Sequence, residues 1–184
     1  METNVYSLVK LTPMDWPRLN ALFNQVFGHP LESSLANFKY EAGRGESLAL
    51  VGTDGEILAH CGMIFRKLLV GGALVPGVQF GDLMVAPRTR GILSRQGLPF
   101  YKVFHGALSR VNEILLKPLV FGFPSDRATR LGERLGVITK FEHVMELTWS
   151  KSQAPLLAGV IAQADERFHR IVDGLWIEMA KDLS

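Results

Sequence analysis

Apolar and polar positions along the chain fall into segments of two different periods. Val5 to Val9 is rich in β-branched and aromatic residues and predicts an opening strand. Thr12, Pro13 and Asp15 then combine a capping hydroxyl, a residue whose fixed φ suits the first helical position, and an acid placed to complete a capping box. Leu19, Leu22, Phe23, Val26 and Phe27 follow at helical spacing, and Gly28 closes the stripe. A second helix is expected near Leu31 to Tyr40, set off from the next strand by Gly43-Arg44-Gly45. Ser47–Val51 and Ile57–Phe65 flank Asp54-Gly55, two residues that tolerate positive φ, which predicts an antiparallel hairpin.

Gly71-Gly72 supplies the next turn, and Val78 to Val85 reads as a strand that stops at Pro87. Helical spacing runs from about Gly91 to Val111, interrupted by Gly97 and Pro99. Leu119 to Phe123 is a short apolar run of the kind a covered strand uses, and Pro124-Ser125-Asp126 leads into a helix that ends at Gly136. Val137 to Trp149 predicts one or two further strands. The order is that of a mixed α/β layer with helices over a sheet. After Trp149 the period changes. Apolar residues from Leu156 to Leu183 recur three and four apart, which predicts one amphipathic helix roughly 40 Å long with Phe168 and Trp176 on its apolar face. We therefore divide the chain into residues 1–150 and 151–184. The terminal stripe must cover its own domain, a second subunit as in a homodimer, or a further domain.

Composition narrows this picture. At 184 residues and 47% hydrophobic content the chain is long enough for a core without disulfides or a structural metal. Cys61 is the single cysteine, so neither an intrachain disulfide nor a thiolate zinc site is expected, and a reducing, cytoplasmic setting follows. No apolar run reaches the roughly 18 residues that a membrane span requires, and the first residues lack a secretory pattern. The net charge of +2 argues against nucleic acid as a partner, yet it conceals an uneven distribution. Residues 88–134 hold nine basic and three acidic side chains, a net of +6, which leaves −4 for the remainder.

That basic region begins with the segment Gln79 to Leu93, a strand feeding an arginine and glycine turn at the start of a helix. A helix N-terminus exposes amide donors and the positive end of the dipole, so a phosphate suits it. Gly91 permits close approach to the backbone, and Arg88, Arg90 and Arg95 add guanidinium donors. The competing reading is a solvated turn whose arginines form surface ion pairs.

Arg88, Gly91 and Leu93 occupy the positions of a pyrophosphate loop that resembles the acetyl-coenzyme A segment of the GCN5-related N-acetyltransferase superfamily, with Leu93 where a small residue is usual. The order of the elements across residues 5–149, including Phe121-Gly122-Phe123-Pro124 and Leu131 to Gly136, is also similar. The resemblance implies an acyl-CoA N-acyltransferase fold, a mainly antiparallel sheet with helices on both faces. It also suggests the first half of a tandem-domain protein. It implies acetyl-CoA or another acyl-CoA as the bound group, with the pantetheine arm in a gap between the strands carrying Met84-Val85 and Phe121. Arg88, Arg90, Gly91, Ile92 and Leu93 would then contact the phosphates. The acceptor would be a small-molecule or peptide amine.

Acyl transfer to an amine needs a neutral nitrogen and stabilisation of the carbonyl oxygen, a task for backbone amides in the strand gap. Asp82 and His60 are the candidate bases, His143 a weaker one, and Ser125 is placed to orient the thiol leaving group. Each has a structural alternative: Asp82 as a strand-end cap, His60 as a hydrogen-bonded sheet residue, Ser125 as a helix cap. The superfamily's frequent tyrosine acid has no match between Pro124 and Gly136. Cys61 reads as a packed strand residue facing the opposite side from His60. A noncatalytic acyl-CoA-binding or protein-interaction module with the same fold is the alternative function.

Overall fold

The computed structural model describes residues 6–89 and 99–140, together with Arg170, Asp173, Gly174 and Ile177, which are exposed helical positions. Strand β1 (Ser7–Lys10) is followed by a 3-10 turn (Pro13–Asp15), α1 (Trp16–Phe27) and α2 (Ser33–Tyr40). Three strands come next, β2 (Gly45–Val51), β3 (Ile57–Val70) and β4 (Ala73–Val85), and a second 3-10 turn (Pro87–Thr89). Helix α3 (Pro99–Ile114), β5 (Leu119–Gly122) and α4 (Asp126–Leu135) complete the series. The sheet order is β1-β2-β3-β4-β5. β1 and β3 both run antiparallel to β2, whereas β5 runs parallel to β4. The sheet is thus mixed and mainly antiparallel.

Packing divides the chain into two compact units, residues 1–68 with 75–140 and residues 69–74 with 141–184. In the first unit the sheet separates two cores. On one face Leu19, Leu22 and Phe23 of α1 and Ala36 and Tyr40 of α2 meet Ala49, Val51, Met84 and Ala86. On the other, Phe100, Val103, Phe104, Ala107 and Val111 of α3 and Leu135 of α4 meet Leu48, Leu50, Ala59, Cys61, Met63, Val78 and Phe80. The predicted hairpin at Asp54-Gly55 and the predicted turn at Gly71-Gly72 are present, with all three glycines at positive φ. Gly136, at φ +69°, ends α4 in the left-handed conformation that glycine adopts without steric cost.

Several boundaries moved. Asp15 accepts from the Thr12 backbone N–H and hydroxyl, both at 3.0 Å, but the box encloses the 3-10 turn and the α-helix starts one residue later, at Trp16. Strands β3 and β4 extend from their expected ends to the Gly71-Gly72 turn, because cross-strand pairing rewards extended backbone even where apolar alternation fades. The strands expected over 137–149 and the long terminal helix fall largely outside the described residues, and residues 137–140 are not in strand. No helix among the described residues is long and apolar enough to cross a membrane.

Candidate active site

The sequence of β4 changes face partway along. Val78 and Phe80 point into the α3 core, yet Met84 and Ala86, separated from them by an even number of residues, belong to the α1/α2 core, while Leu83 and Val85 pack against the α3 side. Strict alternation would keep residues of one parity on one face, so an extra residue has been inserted into the strand. It lies at Gly81-Asp82. Asp82 has φ +47°, a left-handed conformation rare for a side-chain-bearing residue and tolerated best by Asn and Asp.

Both ends of Asp82 are held. Its carboxylate accepts from Lys39 Nζ at 3.0 Å (Oδ1) and 2.8 Å (Oδ2) and from the Tyr40 hydroxyl at 2.5 Å. The ion pair is mostly shielded, with 21% and 15% of the Lys39 and Asp82 side chains exposed. Its backbone carbonyl accepts from His60 Nδ1 at 2.8 Å. A carbonyl can only accept, so Nδ1 carries the ring proton; Nε2 is therefore the acceptor, and the Ser47 hydroxyl donates to it at 2.7 Å. His60 is fully buried, and burial pushes its pKa down to about 4, the largest effect, partly offset by the Asp82 carbonyl. The ring is neutral near pH 7. Burial first and the Asp82 charge second push the Tyr40 phenol well above its usual range, so it remains a proton donor.

Tyr40 reaches Asp82 across Gly62 of β3. A Cβ at Gly62 would overlap the Tyr40 hydroxyl oxygen and stand 2.8 Å from Cε1 and Cζ of the ring, so this strand glycine provides the slot in which the phenol lies. Trp16 and His60 flank the same ring, each with centroids 6.0 Å away.

Strand β5 opens the sheet beside this bulge. Pairing of β4 with β5 runs from Gly77↔Leu119 to Phe80↔Gly122, where β5 ends, while β4 continues through Gly81–Val85. The bulge therefore begins one residue after the last paired position. Phe121 is half-buried on β5, with its ring edge-on to exposed Phe123 at 6.0 Å. The Met84 side chain is buried in the α1/α2 core, so only its backbone can face a ligand in the opening.

The other anticipated residues have different surroundings. Arg88 lies exposed in the 3-10 turn and pairs with Asp54 at 3.4 Å, an interaction worth at most about 1 kcal/mol between two exposed groups. Ser125 is the N-cap of α4, where its hydroxyl oxygen accepts from Ala128 N–H at 3.5 Å. Arg90, Gly91, Ile92, Leu93, Arg95 and His143 lie outside the described residues. Cys61 is fully buried on the α3 face, opposite to His60, and burial pushes its thiol pKa up. Sequence reasoning brought Asp82 and His60 forward separately but missed Lys39, Tyr40, Ser47 and Gly62, the residues that join them. A concavity of about 390 Å³, between the β1/β2 edge and α3 and apart from these residues, is lined by Tyr6, Leu8, Leu50, Tyr101, Lys102 and His105 among others. It lies on the α3 face and has no carboxylate in its lining.

No protein-family model matches the chain, and no curated protein matches it. Solved structures do. An acetyltransferase from Trypanosoma brucei superposes with a TM-score of 0.60 at 18% identity, covering 79% of this chain and 100% of that one. The glucosamine-6-phosphate N-acetyltransferase of Arabidopsis thaliana gives 0.58 at 15% identity over 78% and 98%. An aminoglycoside antibiotic 6′-N-acetyltransferase from Acinetobacter baumannii gives 0.59 at 13% identity over 80% and 100%. At these identities the similarity establishes the fold alone, the mixed, mainly antiparallel sheet with helices on both faces that these acetyltransferase structures share.

Proposed function

We propose that the protein is an acyl-CoA-dependent N-acyltransferase that moves an acetyl group from acetyl-CoA to an amine by direct attack. The observation that carries this reading is the coincidence, in an acetyltransferase fold, of the opening past Phe80↔Gly122 with a carboxylate-bearing bulge held at both ends. A strand that outruns its neighbour offers extended backbone along which an amide-bearing pantetheine arm can pair as a further strand would. In this reading Met84 and Val85 contribute backbone and Phe121 a wall. Arg88, Arg90, Gly91, Ile92 and Leu93 take the phosphates; Arg88 must then leave its weak partner Asp54. The bound thioester supplies an activated carbonyl, and the chain supplies orientation, charge and a proton acceptor.

Asp82 is the base of this scheme. Its carboxylate already holds an ammonium, that of Lys39, and this contact supports the reading in which it binds a protonated amine and takes its proton directly or through water. Backbone amides of the bulge are the donors for the carbonyl oxygen. Ser125 is the candidate for orienting the departing thiol.

The same ion pair favours a second reading, a noncatalytic acyl-CoA-binding module, because a carboxylate engaged by Lys39 and Tyr40 is not free to accept from a substrate. Calorimetric titration with acetyl-CoA, followed by thiol release assayed against a panel of primary amines, separates the two. Saturable binding with amine-dependent release that Asp82→Asn reduces about 100-fold or more supports the enzyme. Binding without release supports the module, and absence of binding refutes both.

A further inference from the structure

We infer that His60 is a positioning residue that holds the Asp82–Leu83 peptide in its working orientation, with Ser47 locking the imidazole from the opposite side. The inference rests on the acyl-transfer reading above, since it gives that peptide a task in the reaction. The geometry stands independently of it. Ser47 on β2, His60 on β3 and the Asp82 carbonyl on β4 form one line of hydrogen bonds, 2.7 and 2.8 Å long, that crosses three strands through side chains. No buried side-chain polar atom among the described residues lacks a partner, the Ser47 hydroxyl and both His60 nitrogens included.

The consequence lies in the peptide itself. Asp82 C=O and Leu83 N–H belong to one amide group, and no peptide among the described residues is cis. In a trans amide the two bonds point in opposite directions. Fixing the carbonyl on the His60 ring therefore aims the Leu83 N–H away from that ring and from the α1/α2 layer that buries it. A hydrogen bond accepted at the oxygen also polarises the amide and strengthens its N–H as a donor. The bulge conformation, at φ +47°, is uncommon for a residue with a side chain, and the bond accepted from His60 adds to what holds it. His60 thus supplies, from beneath the strand and without touching a substrate, both the aim and part of the strength of a backbone donor beside the opening. It acts as the neutral ring with the proton on Nδ1, whereas a proton-accepting role would require a free nitrogen, and both are occupied.

The test uses the full-length protein and two substitutions of differing reach. Asn at this position carries its amide nitrogen near the place of Nδ1, whereas Gln carries it near Nε2. His60→Asn is expected to keep most of kcat, and His60→Gln to lose about tenfold with KM for acetyl-CoA little changed, the split expected when a donor acts mainly on the transition state. Thermal midpoints of both variants should fall by similar amounts. Long-range proton–nitrogen NMR of the imidazole should show Nδ1–H in the wild type, independent of any activity. The Nε2–H tautomer would overturn the assignment, as would losses of kcat that are equal in the two variants and follow stability alone. An acyl-CoA-silent wild type with the Nδ1–H tautomer intact overturns the acyl-transfer reading and the peptide's catalytic task together. An active wild type with an unimpaired His60→Gln overturns the positioning role alone.

Discussion

Gly62→Ala provides a sharp quantitative test of the site. In the interior of a strand, replacing glycine by alanine ordinarily stabilises a protein by about 0.5–1 kcal/mol, because glycine gives up more conformational freedom on folding. Here the sign should reverse. The new methyl would overlap the Tyr40 hydroxyl and approach Cε1 and Cζ to 2.8 Å, and the ring is 4% exposed and wedged between Trp16 and His60, so it has little room to retreat. Overpacking of this kind costs about 1–3 kcal/mol. If the ring swings away it also surrenders its 2.5 Å bond to the Asp82 carboxylate, and a hydrogen bond to a charged group contributes about 1.5–3 kcal/mol. Offset by the backbone gain, the net destabilisation is about 3 kcal/mol, which for a domain of this size lowers the thermal midpoint by roughly 6–12 °C. Urea unfolding of the wild type, Gly62→Ala, Tyr40→Leu and the double variant completes a cycle. With leucine at position 40 no atoms remain where the methyl intrudes, and Gly62→Ala should be neutral or slightly stabilising. A stable Gly62→Ala single variant, or an equal cost in both backgrounds, would refute the slot.

Other parts of the fold make further predictions. Glu46 is buried and bound by Arg110 at 2.8 and 3.0 Å and by Lys10 at 2.8 Å, and these partners, Arg110 foremost, hold its pKa down to about 2 from an ordinary 4.5. A carboxylate depressed in the folded state contributes stability that is complete above its unfolded pKa and is lost as pH falls from about 4.5 to about 2. Because Lys10 and Arg110 are partly exposed, screening reduces the contribution to about 2 kcal/mol, and urea midpoints of Glu46→Gln should fall less steeply than wild type across that window. Cys61, buried with a raised thiol pKa, should resist aromatic disulfide reagents at pH 8 until denaturant is added; prompt labelling of the native protein would contradict its placement. Gly136→Ala should cost about 1 kcal/mol at the left-handed end of α4, read from thermal denaturation.

The residues that announced the fold did so through short-range signals. Asp54-Gly55 and Gly71-Gly72 mark turns by backbone chemistry, the α1 stripe from Leu19 to Phe23 by period, and Ser125 and Gly136 by capping, each within about one turn of chain. The site was legible only in fragments. Asp82 and His60 were visible as polar residues in apolar strands, but Lys39 and Tyr40 are 43 and 42 residues before Asp82, and no local pattern links a helix end to a distant strand. Gly62 resembles an ordinary strand residue until the ring above it is known. The bulge was hidden for a related reason: Phe80-Gly81-Asp82-Leu83-Met84 reads equally well as continuous strand, and only the partition of Phe80 and Met84 between two cores reveals the inserted residue.

That inserted residue has a consequence for how the chain can change length. Three positions rather than two separate Phe80 from Leu83, so deleting one residue at Gly81-Asp82 would restore an unbroken ladder and still leave Leu83 and Val85 on the α3 layer and Met84 and Ala86 on the α1/α2 layer. Such a deletion acts as the opposite of a frameshift in a message: every core residue keeps its reading, and only the kink that presents the Asp82 carboxylate is erased. A deletion at Gln79 has no such compensation, since it would set Val78 and Phe80 side by side on opposite faces and send one of them out of the α3 core. β4 thus contains one position that its two layers do not need, and it is the position on which the candidate site is built.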